Sequence, residues 1–391
     1  MKAIISRRQR RFIKQAALIF APLFLLCLLA ASQPIHAQFE SPTNSYWRHS
    51  ASLRLQHVLP IDINHDGIDE VIIVTENGDV DLISADGISL WQYGAAAPVH
   101  AIGTVNLDGP DNPDREIVLA LTNRLVVLSV DGKEMWETAV SAVTPPTSLY
   151  THSSETFSQA WQAQYDAVPI AVQAIDRNGD GWEEIAVLLQ SGRLHLYDAN
   201  GALQWRYTRG TTPGLNAEGR LAVGDLNGDG QEEIVLATFR RFSQMTIIDG
   251  EGVAQWDQPI GISGHVTALT LVDFPEYNGV EIAVGTDRGN LNLYDRQRSR
   301  IWPRTLNKPI TTLAAANLET GPALIVGTAV GTVTAFSGEG RRLWTRQLAE
   351  QANRPIIALA ALPYLPDDRQ PHLSAILGSE NGGPEPNDIW L

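Results

Sequence analysis

The chain has 391 residues, enough for a large core, and its 32 glycines and 22 prolines with only 19% charged residues indicate many short elements joined by turns. This composition argues against a protein built from long amphipathic helices. The formal net charge is −15. An acidic surface disfavours nucleic acid or anionic lipid as a bulk partner and favours solubility and cation binding.

Residues 1–37 are predicted to be an export signal. They contain six Lys or Arg residues and no acidic residue, and an apolar run extends from Ala16 to Ala31. These are the n-region and h-region of a signal peptide. Cleavage is expected after Ser32 or Ala37, by the Sec or the twin-arginine route, and an uncleaved membrane anchor is the alternative.

Export also changes the charge and the cysteine content of the chain. Removal of the six basic residues leaves 23 Lys and Arg against 44 Asp and Glu, a net charge of −21. The only cysteine, Cys27, lies in the h-region. The mature protein is therefore expected outside the cytoplasm, in the periplasm, on the cell surface or secreted. Its stability must come from packing or from a metal ion.

Residues 38–391 are predicted to form one domain from a repeat of about 45 residues. The segments 171–205 and 221–256 contain the whole unit: a strand, an acidic loop, a second strand, a tight turn, a third strand, a Gly-containing turn and a fourth strand with Trp. The tryptophans recur at positions 91, 136, 205, 256, 302 and 344. This pattern predicts four-stranded antiparallel sheets arranged around an axis as a β-propeller, and a linear β-solenoid is the weaker alternative.

A seventh copy begins at Pro355 and contains no fourth strand with Trp. The segment 45–49 (Ser-Tyr-Trp-Arg-His) resembles the fourth strands of the other copies and is predicted to complete blade 7. This would hide a sheet edge that otherwise invites aggregation. The predicted fold is an all-β, seven-bladed propeller of four-stranded antiparallel blades, closed by the N-terminal strand. A truncated chain is the alternative.

Three loops between the first and second strands follow the pattern Asp-x-Asn-x-Asp-Gly-x-x-Glu. Their oxygen-bearing residues are Asp62, Asn64, Asp66 and Glu70; Asp176, Asn178, Asp180 and Glu184; and Asp225, Asn227, Asp229 and Glu233. Oxygen ligands at positions 1, 3, 5 and 9, with Gly at position 6 for the sharp turn, suit calcium. A purely structural turn is the alternative, because Asp/Asn-Gly turns are common between strands.

The remaining copies have lost most of this pattern and are expected to bind no metal. The second copy has Asn106 followed by an insertion with proline, and the fifth, starting at Asp273, lacks acidic residues at positions 3 and 5. A site that several blades can lose is better explained as a local support for a loop than as a reaction centre.

The loop followed by a strand resembles the FG-GAP and VCBS repeats, as in the propeller of integrin α subunits. The Gly-x-x-x-Trp ending also resembles the quinoprotein-type propeller repeat. The resemblance to the integrin-like family implies calcium in the loops of one face, with the ligand roles falling on the residues named above, and partners on the opposite face. The Phe-Gly and Gly-Ala-Pro words are missing, so no ligand specificity follows from the resemblance.

A protein or glycan partner is therefore expected on the face opposite the loops, bound by a monomer. Turns between the second and third strands place Arg193, Arg240, Arg241 and Arg288 on this face, where they are predicted to form an arc that binds an anionic partner. An insertion at residues 143–166, which includes Trp161, is expected to take part in recognition or to be a solvated excursion.

Enzymatic function is not expected, because the common motifs of hydrolases, zinc proteases and nucleotide-binding enzymes are absent from the sequence. The alternatives considered are a polysaccharide lyase-like or a quinone-dependent dehydrogenase-like propeller, and neither has a catalytic residue set that the sequence identifies. A binding or adhesion module of the cell envelope is the preferred interpretation.

Overall fold

A computed structural model describes residues 55–64, 69–84, 87–140, 168–208, 218–239, 243–318, 320–348, 355–362, 372–377 and 388–390. The chain divides into two units, Met1–Ser45 and Tyr46–Leu391, and all described residues belong to the second. They contain 27 strands. In the part of the chain that is described, no helix has the length and apolar character needed to cross a membrane.

Six sheets have four antiparallel strands in chain order. Blade 1 contains β1 (Leu55–Ile61), β2 (Glu70–Thr75), β3 (Asp79–Ile83) and β4 (Ser89–Gly94). Blade 2 contains β5 (Val99–Val105), β6 (Glu116–Leu121), β7 (Arg124–Leu128) and β8 (Glu134–Ala139). Blade 3 contains β9 (Pro169–Ile175), β10 (Glu184–Leu189), β11 (Leu194–Tyr197) and β12 (Leu203–Tyr207).

The second half of the chain repeats this order. Blade 4 contains β13 (Glu218–Gly224), β14 (Glu233–Phe239), β15 (Ser243–Ile248) and β16 (Ala254–Pro259). Blade 5 contains β17 (Val266–Val272), β18 (Glu281–Thr286), β19 (Asn290–Tyr294) and β20 (Arg300–Thr305). Blade 6 contains β21 (Ile310–Leu318), β22 (Gly321–Thr328), β23 (Thr332–Phe336) and β24 (Arg342–Gln347). The last sheet contains β25 (Ile356–Leu362), β26 (His372–Leu377) and β27 (Asp388–Trp390).

The prediction of a propeller with four-stranded antiparallel blades is confirmed, but the count of seven such blades is wrong. The described residues form six four-stranded blades, and the seventh copy forms a sheet of three strands. The described residues of this copy supply only these three strands. The segment 45–49, predicted to supply the missing strand, lies outside the described residues.

The first strands of the sheets lie next to one another around the propeller axis. Each first strand contacts the first strand of the following sheet, and β25 contacts β1. The second strands are continuous apolar runs with buried side chains, for example 117–121 in β6. The fourth strands alternate between exposed and half-buried residues, as expected for the outer rim.

Tryptophans of the fourth strands connect each blade to the next. Trp91, Trp205 and Trp302 donate a hydrogen bond from Nε1 to a carbonyl in the β-turn of the following blade, at 2.6 to 2.9 Å. A Cβ atom added to Gly132 or Gly252 in these turns would lie 2.5 or 2.8 Å from the ring. Gly132 and Gly252 therefore serve a second purpose, since each makes room for the Trp of the preceding blade.

Candidate metal-binding loops

The repeat loops join the first and second strands, so all of them emerge on one face of the propeller, which we call the loop face. The turns between the third and fourth strands emerge on the same face. The turns between the second and third strands and the links between blades emerge on the opposite face. This follows from the antiparallel order of each sheet.

The blade-3 loop (residues 176–184) is folded around the carboxylate at its first position. Oδ1 of Asp176 accepts hydrogen bonds from the backbone N–H groups of Gly179, at 2.8 Å, and Asp180, at 3.2 Å. Oδ2 accepts from Gly181 N–H at 2.8 Å. These three backbone bonds order the loop around the side chain of Asp176.

The blade-4 loop (residues 225–233) repeats this arrangement. The carboxylate of Asp225 accepts from the N–H groups of Gly228, Asp229 and Gly230 at 2.6, 3.2 and 2.8 Å. These three bonds lower the pKa of Asp225, although burial acts in the opposite direction as the largest single influence. The two loops therefore share one backbone conformation.

The glutamate at position 9 performs a common structural task in five blades. Its Oε2 accepts a hydrogen bond from the backbone N–H of the residue at position 2 of the loop. The distances are 2.8 to 3.2 Å in blades 1, 2, 4 and 5 and 3.5 Å in blade 3. The glutamates are Glu70, Glu116, Glu184, Glu233 and Glu281. Blades 2 and 5, which have lost most of the acidic pattern, thus keep its structural anchor.

Position 2 distinguishes the blade-3 loop from the others. It is a buried apolar residue in blades 1, 2, 4 and 5, as in Leu226 with 4% exposure, but it is Arg177 in blade 3. Arg177 Nε lies 3.0 Å from Glu184 Oε1, and its Nη1 lies 3.1 Å from Glu251 Oε1 in blade 4. The arginine therefore supplies a positive charge inside the loop.

The blade-4 loop has no basic residue of its own, although Arg296 and Arg298 of blade 5 line a cavity with it, and its carboxylates lie close to one another. Glu233 accepts from Leu226 N–H at 2.9 Å and from Asn227 Nδ2 at 2.6 Å. Burial raises the pKa of Glu233, and the carboxylates of Asp229, Asp225 and Asp249 raise it further. In the blade-3 loop burial also raises the pKa of Glu184, but Arg177 opposes the rise.

The oxygen donors of the blade-4 loop fit a hard cation, because excess negative charge and an amide oxygen lie on one short loop. In the described residues, however, no three carboxylate, imidazole or thiol groups are arranged to hold a metal ion. A calcium ion there would need the oxygen of Asn227 and backbone carbonyls in addition to the carboxylates. In the blade-1 loop Asn64 Nδ2 lies 3.5 Å from Glu70 Oε1, while Asp66 lies outside the described residues.

Position 8 joins the loops of adjacent blades, a role that the sequence analysis missed. Glu232 Oε2 accepts from Asp176 N–H at 2.8 Å, and Glu232 N–H donates to Asp176 O at 3.1 Å. Glu183 forms the same two bonds with Asn106 in blade 2, at 2.7 and 3.2 Å, and Arg115 Nη2 lies 2.7 Å from its Oε2. The signal in the sequence was the doubled acid Glu-Glu at positions 8 and 9.

Residues 176–236, which run from the blade-3 loop through the blade-4 loop into β14, match the model of the FG-GAP-like repeat. The chain is a β-propeller that contains an FG-GAP-like repeat. The resemblance predicted from the loops is confirmed at this level. No curated protein matches the sequence.

Solved structures share the β-propeller fold of this chain. The complex of BBS1N with ARL6DN is similar in a lead-soaked crystal, with 15% identity, a TM-score of 0.63, and coverage of 88% of this chain and 95% of that chain. The same complex in a mercury-soaked crystal has 14% identity, a TM-score of 0.63, and coverage of 88% of this chain and 96% of that chain. BamB from Moraxella catarrhalis is similar with 14% identity and a TM-score of 0.50, over 88% of this chain and 99% of that chain. At such identities the likeness concerns the fold alone.

The structure describes only some of the residues predicted to bind a partner. Arg193 and Arg288 lie in the β10–β11 and β18–β19 turns, on the face opposite the loops, and Arg288 Nη1 donates to Ser263 Oγ at 3.2 Å. Arg240, Arg241 and Trp161 lie outside the described residues, as does the whole insertion 143–166. The predicted arc of four arginines therefore stays a prediction.

Proposed function

We propose that this protein is an exported, calcium-stabilised binding module of the cell envelope. The loop face acts as the support, and the opposite face binds a protein or glycan partner. The protein acts as a monomer. Its net charge of −21 without the leader makes a local arc of arginines a distinctive site for an anionic group.

The observation that carries this proposal is the use of the loop carboxylates. The carboxylates of Asp176, Asp225, Glu183 and Glu232 accept hydrogen bonds from backbone N–H groups of their own or the preceding loop. Groups engaged in this way hold the backbone and are poor candidates for acid–base work on a substrate. They make the loop face a rigid support, which favours a scaffold for binding over a reaction centre.

Calcium belongs to this proposal as a stabilising ion. The blade-4 loop would hold it through Asp225, Asn227, Asp229 and Glu233, and the ion would neutralise carboxylates that now repel one another. In the blade-3 loop the ligands would be Asp176, Asn178, Asp180 and Glu184, but Arg177 already neutralises part of their charge. In blade 1 they would be Asp62, Asn64, Asp66 and Glu70. We therefore expect the tightest binding in blade 4.

A structural neighbour supports the idea of a protein partner. BBS1N, whose structure is similar to this chain at a TM-score of 0.63, was crystallised in complex with ARL6DN. A propeller of this shape can thus present a binding surface for another protein. The identity of the partner does not transfer at 15% identity.

The proposed function is tested by measuring binding of the purified exported protein to a panel of polysaccharides and to solubilised envelope proteins. One variant replaces Arg193, Arg240, Arg241 and Arg288 by Ala, and a charge-matched control replaces Lys133, Arg296, Arg300 and Arg341 at the loop face. We expect the first variant alone to lose binding. Equal binding by both variants would refute the arginine site, and turnover of a polysaccharide or a quinone-linked alcohol would favour an enzyme.

A further inference from the structure

A groove lies at the outer rim between blades 5 and 6. Its volume is about 560 Å³, which is in the range of sites for small ligands. The groove extends from the β23–β24 turn at the loop face to the link between β20 and β21 at the opposite face. Its lining consists of Arg304, Thr305, Leu306, Asn307, Lys308, Thr332, Thr334, Phe336, Gly340, Arg342 and Thr345.

The charge of this lining is opposite to that of the whole protein. Arg304, Lys308 and Arg342 supply three positive charges, and among the described residues no acidic side chain lines the groove. Arg342 lies opposite Phe336 at one end of β23, and Lys308 belongs to the link at the other end. Positive charge is therefore spread along the groove.

Arg304 is held in place by neutral groups. Its Nε, Nη1 and Nη2 donate to the carbonyls of Gly340, Pro303 and Glu339 at 2.7, 2.7 and 3.2 Å, and its guanidinium lies 5.2 Å from the centre of the Trp302 ring. In the described structure no carboxylate pairs with it. A fixed guanidinium without a counter-ion is well suited to bind an oxyanion, because its geometry is already set.

The groove differs from blades 1, 2 and 4 in one pair of residues, which lacks a carboxylate in blades 3 and 5 as well. The residues that pair across the third and fourth strands at the position of Thr334 and Thr345 include a carboxylate in blades 1, 2 and 4: Asp81 opposite Gln92, Glu137 opposite Val126 and Asp257 opposite Thr246. In blade 6 both residues are threonines, and their hydroxyls lie 3.1 Å apart. The repulsion that an anion would meet at those three positions is missing here.

We propose that this groove binds an acidic oligosaccharide through its carboxylate or sulfate groups. The arginines and lysine bind the oxyanions, and the threonine hydroxyls and Asn307 bind the sugar hydroxyls between them. An acidic peptide is a poorer fit, because peptide recognition depends on pockets for large apolar side chains. The groove offers only Leu306 and Phe336 for that purpose, and Phe336 is 5% exposed because Trp302 covers it.

The test measures affinity by titration calorimetry with four probes: an oligogalacturonate, a heparin-derived oligosaccharide, a neutral dextran oligomer and a poly-glutamate peptide. The groove variants are Lys308→Gln with Arg342→Gln, and Thr345→Asp, which copies the pair that blade 4 already contains. The control, Lys133→Gln with Arg300→Gln, changes the charge equally outside the groove. Thermal unfolding checks that all variants are folded.

We expect at least one of the two acidic oligosaccharides to bind and the dextran oligomer not to bind. Binding of the oligogalacturonate would indicate a preference for carboxylate, and binding of the heparin-derived oligosaccharide would indicate a preference for sulfate. Both groove variants should weaken binding tenfold or more, the control should not, and added salt should weaken binding of the wild type. The proposal is overturned if neither acidic oligosaccharide binds, if folded groove variants bind like the control, or if poly-glutamate binds as well as the saccharide. This result does not depend on the arginine turns of the opposite face, so the two sites are tested separately.

Discussion

The blade-3 and blade-4 loops have the same acidic pattern and the same backbone bonds around Asp176 and Asp225, yet their electrostatics differ. In blade 4, Leu226 is buried in the core and the carboxylates repel one another. In blade 3, Arg177 takes the place of that leucine and forms an ion pair with Glu184. The hydrogen bond from Arg177 N–H to Glu184 Oε2 is 3.5 Å long. The shape of such a loop is therefore set by the first aspartate, and we expect its affinity for a cation to depend on a residue outside the ligand pattern.

Exchange of the position-2 residues tests this difference most strongly. We expect Leu226→Arg to lower the free energy of unfolding by about 3 kcal/mol or more, because it removes a buried leucine and places a charge in the core. Arg177→Leu should change it by less than about 1 kcal/mol, since Arg177 is partly exposed. Urea denaturation measures the free energy of unfolding of both variants. A Leu226→Arg protein as stable as the wild type would show that position 2 does not distinguish the loops.

Calcium should act unequally on the two loops. In saturating calcium we expect the wild type to gain up to about 2.7 kcal/mol, the value for a ligand at 100 times its Kd. Asp229→Asn should abolish most of this gain, and Asp180→Asn should remove a smaller part. Thermal unfolding with calcium and with a chelator measures the gain. An equal midpoint with and without calcium in the wild type would refute stabilisation by the ion.

The bond between the two loops can be broken at Glu232. We expect Glu232→Ala to cost about 2 kcal/mol, because a partly buried backbone N–H of Asp176 loses a charged acceptor. Glu251→Ala is the control, since Glu251 is a largely exposed partner of Arg177 and should change stability by less than about 0.5 kcal/mol. Chemical denaturation measures the free energy of unfolding of both variants. An equal loss of stability in the two variants would mean that Glu232 does not join the blades.

The blade-5 loop lacks most of the acidic ligands but keeps the buried glutamate at position 9. Glu281 is fully buried, and within the described residues its Oε1 has no hydrogen-bond partner. Burial, with smaller contributions from Asp273 and Asp295, raises the pKa of Glu281 from 4.5 to about 7. The folded protein therefore binds a proton more tightly than the unfolded chain, and the stability this contributes is complete below about pH 4.5 and is lost as pH rises through 7.

Glu281→Gln should remove this pH dependence. At pH 8 we expect the variant to be more stable than the wild type by about 2 kcal/mol, because glutamine stays neutral. At pH 5 the two proteins should differ little. Denaturation at several pH values measures the difference, and a constant difference between pH 5 and 8 would contradict a raised pKa.

The sequence was sufficient to predict the strands, the propeller and the position of each repeat loop, because alternating apolar residues and Gly-containing turns are local signals. The predicted number of four-stranded blades was wrong, because the fourth strand of the last copy was assigned to a distant segment, 45–49, and not to a local pattern in that copy. The contact of Trp91 with the turn at Gly132 was not predicted, because it joins different repeats. The ion pair of Arg177 with Glu184 was also missed, since only their spacing of seven residues is visible in the sequence.

The bonds of Glu183 and Glu232 have a consequence for the history and the engineering of the repeat. Each of these glutamates supports the loop of the blade before it, so a loop depends on a residue encoded in the next repeat. Deleting or duplicating one repeat at the blade boundary would separate the loop from this support. The unit that can be moved intact therefore starts at the acidic loop of one blade and extends to the doubled acid of the next.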